Sequence, residues 1–136
     1  MKSKKKPAKK EASPREMPKF YPIDEEMKQL SAMMEKEVLD WPGVSKKPMF
    51  GMSGMYRGRA IFAALPRTRA IRTPRCIMLR FTNAAETVRE SAKKDSRING
   101  VSGMTAGNWI TFEVNEPSST KDALGWIGRA YQAVKK

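Results

Sequence analysis

The sequence predicts an α+β fold, with a central antiparallel sheet of about four to five strands packed by an N-terminal and a C-terminal helix. Three observations predict it. Residues 23–40 repeat apolar side chains at helical spacing. The middle of the chain reads in short apolar runs broken by glycine and proline. The chain then closes on a second helically spaced stretch.

In the first helix, Ile23, Met27, Leu30, Met34 and Val38 fall on one face. Asp24, Glu25 and Glu26 occupy its first turn, where the helix dipole favours negative charge. Trp41-Pro42-Gly43 ends it, because proline cannot continue a helix and glycine permits a sharp exit. Lys46 to Tyr56 reads as an extended stretch, in which Gly51 and Gly54 suggest a bulge or a close backbone approach. Arg57-Gly58 reads as a tight turn into a strand over Arg59 to Leu65. Residues 66–75 read as a Pro-punctuated loop, and Cys76 to Phe81 as a short apolar strand. Asn83 and Glu86 have capping-box spacing, which predicts a helix from about Ala84 to Ser91. Ser96 to Gly107 reads as irregular. Asn108 to Val114 alternates, with Ile110, Phe112 and Val114 on one side and Trp109, Thr111 and Glu113 on the other. Ser119 is the predicted N-cap of the last helix, with Asp122 three residues on. Ala123, Ile127, Ala130 and Val134 form its core stripe, flanked by Leu124 and Tyr131.

The 136 residues suffice for one hydrophobic core, which the reading assigns to residues 20–136. Residues 1–19 are Lys- and Pro-rich and nearly free of large apolar groups. They read as a disordered basic arm, because they cannot bury enough surface to offset chain entropy. No apolar run approaches the roughly 20 residues that span a bilayer. The basic start is not followed by the apolar stretch of a secretory signal, so the expected location is cytoplasmic, without a membrane partner.

The formal charge is +13, from 27 Lys and Arg against 14 Asp and Glu. Its distribution is uneven. The arm holds eight basic residues and two acidic ones, and residues 20–45 are net acidic. Residues 46–80 hold nine basic residues and no Asp or Glu: Lys46, Lys47, Arg57, Arg59, Arg67, Arg69, Arg72, Arg75 and Arg80. Most are arginine, whose planar fork suits bidentate phosphate contacts. A basic hairpin and loop laid along a nucleic-acid backbone is therefore the expected function. Lys46, Lys47, Arg57, Arg59, Arg67, Arg69, Arg72 and Arg75 are the candidate contacts, with the arm adding sequence-independent attraction. Phe50, Tyr56 and Phe62 are interleaved with them. The pattern favours core positions for Phe50 and Phe62 and leaves Tyr56 open between core and base stacking. The plainer alternative is a solvated edge, whose charges keep exposed strands from pairing with other chains. Two other partner classes fit the charge pattern or composition. One is an acidic protein, or a second copy offering its acidic helix. The other is a small molecule held between sheet and helices by Met and Trp residues, which are more simply ordinary core.

Catalytic chemistry is not expected. Histidine is absent, which removes the commonest general base and metal ligand. Cys76 is the only cysteine, has no His partner and lies in an apolar strand, so it reads as a buried inert thiol. The glycines of GMSGMYRG lack the GK[ST] signature of a P-loop, and Gly100, Gly103 and Gly107 are too scattered for a dinucleotide fingerprint. The reading is a non-enzymatic module with no cofactor and no metal.

The stretch VSKKPMFGMSGMYRGRAIFAAL resembles the N-terminal domain of the TfoX (Sxy) competence regulators through Met49, Phe50, Gly51, Gly54, Tyr56, Gly58, Phe62 and Ala63. The ending LGWIGRAYQAVKK is similar through Leu124, Trp126 and Ala130. WPGV (Trp41 to Val44), NWITFEV and RAYQAV are also similar to segments of the neighbouring MmcQ/YjbR-like family. The likeness spans roughly residues 23–134. It implies a compact α+β domain with a central antiparallel sheet, an association with transcriptional regulation, and DNA binding of the kind suggested for YjbR-like domains. It carries over no catalytic residue. The Lys-rich arm, the Pro/Arg insertion at 66–75 and the missing C-terminal helical domain depart from full-length TfoX.

Overall fold

The computed structural model describes residues 20–81, 84–104 and 108–134, and the proposed arm at 1–19 lies outside them. The first helix, α1, runs Glu25–Leu39. Its start is set by Asp24, whose carboxylate accepts the Met27 amide at 2.8 Å, satisfying one of the donors a helix leaves unpaired at its N-terminus. Met27, Ser31, Met34 and Val38 are its buried face, spaced as one helical stripe.

A short strand, β1 (Phe20–Pro22), precedes α1. After it come β2 (Val44–Met49), β3 (Met52–Arg57), β4 (Ala60–Pro66), β5 (Arg69–Ile71) and β6 (Cys76–Arg80). Helix α2 (Glu86–Lys93), β7 (Ile98–Asn99), a 3₁₀ turn (Val101–Gly103), β8 (Trp109–Glu113) and helix α3 (Ser119–Ala133) complete the described chain. Six strands form one antiparallel sheet in the order β2-β3-β4-β6-β8-β7, and β1 and β5 form a separate antiparallel pair. The expected α+β architecture is present, with more strands than the sequence suggested.

The extra strands have identifiable causes. The stretch read as one strand over Lys46 to Tyr56 is a hairpin, folded at Phe50-Gly51. Both residues have positive φ, 51° and 81°, as a two-residue turn of the I′ kind requires. Gly51 is obligatory there, because a Cβ would lie 2.8 Å from the Thr68 hydroxyl. Its carbonyl accepts the amides of Arg67 and Thr68, each at 2.9 Å. The second hairpin turns at Gly58-Arg59, one residue later than expected, with Arg57 paired to Ala60. Within the supposed loop 66–75, Arg69–Ile71 finds a partner in Phe20–Pro22, a pairing no local pattern announces.

The bulge falls not at a glycine but at Phe62, which has no partner between the pairs Met55–Ala63 and Tyr56–Ile61. That extra residue lets Phe62 and Ala63 both join the helix-side core. Gly54 instead marks a close approach, since a Cβ would sit 3.0 Å from the Ile61 side chain. Helix α2 starts at Glu86 after Ala85, which has no capping side chain, and Asn83 lies outside the described residues. Ser118, not Ser119, holds the cap position of α3; Ser119 is buried in the first turn, and the Thr120 hydroxyl donates to the Pro117 carbonyl.

The helices cover one face of the sheet. Ile77, Leu79, Ile110, Phe112, Phe62 and Leu65 pack there against Met27, Met34, Val38, Ile127 and Ala130. Burying each large side chain contributes about 2 kcal/mol of transfer free energy. Met27, Met34, Met55 and Met104 are fully buried in the core, whereas Met33 is 51% exposed. On the opposite face a smaller cluster gathers Met52, Ala64 and Met78 beneath Phe20, Met49, Ile71 and Trp109. Among the described residues no helix is long and apolar enough to cross a membrane.

Candidate nucleic-acid interface

The fold divides the basic block. Strands β3 and β4 place Arg57 and Arg59 at one end of the sheet and Arg67 at the other, about 20 Å away by strand rise. Arg57 is turned inward. Its guanidinium stacks 4.2 Å from the Tyr131 ring and donates to the Tyr131 carbonyl at 2.9 Å, a cation on the last turn of α3. The Tyr131 hydroxyl in turn donates to the Pro42 carbonyl at 2.7 Å. Arg59 sits exposed in its turn.

Arg75 is also committed to the fold. Its Nε donates to the Val114 carbonyl at 2.9 Å, and its Nη1 lies 3.0 Å from Glu26 and 3.6 Å from Asp24. It thereby ties the start of α1 to the end of β8. Lys46 and Lys47 point to opposite faces, as adjacent strand residues must. Lys46 pairs with Glu35 of α1, which also accepts the Ser53 hydroxyl at 2.9 Å. Lys28, Lys36, Lys46 and Arg67 rim a cleft of about 480 Å³ beside α1, together with Glu35 and Asp40. The acidic helix therefore already meets the basic block within one chain. Lys47 lies on the helix-free face, its ammonium 5.1 Å from the Tyr56 ring.

Arg67, Arg69 and Arg72 are exposed. Arg67 stands in the β4–β5 turn and lines the cleft beside α1, Arg69 opens β5, and Arg72 follows it. The Gly51 carbonyl holds the β4–β5 turn against the β2–β3 turn. Arg69 stacks 5.0 Å from the Phe20 ring, and Phe20 lies 6.2 Å from Phe50. Phe50 is 65% exposed, against the expectation of a core position. Phe62 is fully buried, and Tyr56 is half-buried on the helix-free face. Sequence reasoning missed Phe20 and the role of Phe50. The available signal was the Phe-Gly dipeptide, since glycine at the second turn position marks a hairpin whatever precedes it.

Elsewhere the titratable groups serve structure. Arg97 grips Asp95 with Nε and Nη2, both at 2.9 Å, and reaches Asp122 at 3.1 Å. The Arg97 hydrogen bonds hold the Asp95 carboxyl below its usual range, with burial opposing them. Burial pushes the Cys76 thiol up, only partly offset by the Thr73 hydroxyl 3.2 Å away, so it stays a protonated, unreactive thiol at neutral pH. Among the described residues no group of His, Cys, Asp and Glu could hold a metal ion. No family model, curated protein or solved structure matches this chain.

Proposed function

We propose that this protein is a non-enzymatic nucleic-acid-binding module, of the regulatory kind that its likeness to the TfoX N-terminal domain implies. The observation that carries the reading is Phe50. A β-hairpin turn of this kind favours Asn-Gly, and a non-glycine residue with positive φ costs about 1 kcal/mol. Phe50 accepts that conformation and exposes its ring to water. The ring lies 6.2 Å from Phe20, on which the Arg69 guanidinium stacks, and the neighbouring Gly51 carbonyl accepts the Arg67 amide. Exposed aromatics among exposed cations match what nucleic acid offers, phosphates with base faces between them. In sequence, the Lys-rich stretch with its eight basic residues immediately precedes Phe20.

Binding of labelled oligonucleotides, followed by anisotropy over a salt series, tests this. Binding at low salt that weakens linearly in log–log form is the expected result. No binding at low salt, or a flat salt response, would sink it. Capture of one acidic protein in a nuclease-insensitive pull-down would instead favour a protein partner.

A further inference from the structure

We infer that this protein holds a small organic anion with an apolar body, a carboxylate or sulfonate on an acyl or aryl frame, at the end of the sheet opposite the Phe50 corner. The inference stands apart from the nucleic-acid reading and rests on different residues. The site is a cavity of about 440 Å³ with Pro42, Ala60 and Val134 in its walls and Arg57 and Arg59 as its charged groups. A second cavity, of about 260 Å³, shares Pro42 with it and is lined by Trp41, Gly128 and Tyr131.

Three connections build the site. Trp41-Pro42-Gly43 leads the chain from α1 into β2, and the Gly43 carbonyl accepts the Gly58 amide at 3.2 Å, which ties this exit to the β3–β4 turn. Helix α3 ends at the same place, where Arg57 donates to the Tyr131 carbonyl and lies over its ring. The Trp41 ring stands 5.2 Å from Tyr131 on the other side of Pro42. Two glycines keep the space open. A Cβ at Gly58 would meet nothing within 4 Å, and one at Gly128 would lie 3.7 Å from Trp41, so the lack of a side chain there leaves the second cavity unfilled.

Charge selects the occupant. The clefts beside α1 and beside α3 mix cations with carboxylates, Glu35 and Asp40 in one and Asp95 and Asp122 in the other. The lining of this cavity has two guanidiniums and no acid. Arg57 uses one of its five donors on Tyr131, and among the described residues neither the rest of its fork nor Arg59 meets another acceptor or a carboxylate. Tyr131 holds the Arg57 fork in place, so less ordering remains to be done when an anion binds. The apolar body follows from the walls. Proline, alanine and valine gain from covering hydrocarbon and offer no side-chain donor to the sugars of a nucleic-acid strand. An apolar hollow with a few fixed charged groups is the usual form of a small-molecule site.

The test uses two dyes with the full chain: anilinonaphthalene sulfonate, whose fluorescence rises when its rings leave water, and phenylnaphthylamine, the same frame without the sulfonate. The folded protein should bind the sulfonate saturably and the neutral dye about tenfold more weakly. Octanoate should displace the bound dye, and octanol at equal concentration should not. Arg59→Gln should weaken binding about tenfold, the scale of one charge-assisted hydrogen bond. Gly128→Leu should weaken it by filling the second cavity. Leucine is the better helix former, so a denaturant midpoint at or above the parent's should show that the fold is kept. The variant Arg67→Gln, Arg69→Gln, Arg72→Gln should bind the dye as the parent does, which separates this site from the Phe50 corner and from the nucleic-acid reading. Absence of saturable binding, equal binding of the neutral dye, or parent-like affinity in Arg59→Gln or Gly128→Leu overturns the inference. Loss of dye binding in the triple variant overturns it too, because the dye then sits at the corner.

Discussion

At one end of the sheet, Arg57 lies over Tyr131 and bonds to a helix carbonyl. At the other, Arg67 and Arg69 are exposed in the segment held against the Phe50-Gly51 turn, and Phe50 itself is 65% exposed. These arginines belong to one acid-free stretch and look equivalent in sequence, yet the fold uses them for opposite purposes. A guanidinium that meets a carbonyl at a helix end, or two carboxylates at a helix start as Arg75 does, is part of the scaffold. One left at a corner with aromatic neighbours is available to a ligand. Net charge counts both alike, so it overstates the surface that a polyanion can reach.

The contrast can be broken by substitution. The largest expected effect is at Arg75. Arg75→Ala should destabilise the fold by about 2 kcal/mol, read by denaturant melts, because it leaves the Val114 carbonyl without its donor and removes the ion pairs to Glu26 and Asp24. Oligonucleotide affinity of the folded fraction should stay unchanged. The triple variant Arg67→Gln, Arg69→Gln, Arg72→Gln should do the reverse. Its stability should stay within about 0.5 kcal/mol of the parent, while affinity falls roughly thirtyfold, or about 2 kcal/mol. Its salt slope for single strands should drop by about 2, at roughly 0.7 for each phosphate that is no longer neutralised.

A smaller effect sharpens the scaffold side. Asp95→Asn should cost about 1.5 kcal/mol at neutral pH by weakening the doubly hydrogen-bonded pair with Arg97. The folded-state pKa of Asp95 is lowered. Its stabilisation is therefore complete above the unfolded value near 3.9 and is lost as pH falls through the folded value. Melting curves of parent and variant should draw together as pH falls below about 3.9 and converge only below the lowered folded value. The smallest effect has the opposite sign. Phe50→Asn should raise stability by about 0.5 to 1 kcal/mol, because asparagine suits the left-handed turn. The same change should weaken single-strand binding, so stability and affinity move in opposite directions at one residue.

Local rules made much of this architecture legible. The α1 stripe, the alternation of Ile110, Phe112 and Val114, and the α3 stripe each follow from one element's periodicity, and all three are buried as expected. Cys76 could likewise be placed by its apolar neighbours. What failed locally was long-range. β1 and β5 each have three residues and pair across a sequence gap of nearly fifty positions, so neither carries a pattern of its own. Phe50 could be read as core because its apolar character says nothing about being at the tip of a turn.

For the candidate site, the division is sharper. The sequence by itself determined that the cations are concentrated in residues 46–80 and the arm, and that those of the 46–80 block are mostly arginine, because composition along the chain is a local property. Only the tertiary structure decided which of them stay available. That choice depends on which carbonyls and carboxylates the folded backbone brings within hydrogen-bond reach. Val114 and Glu26 for Arg75, and Tyr131 for Arg57, are distant in the chain and adjacent only once the sheet and helices have packed.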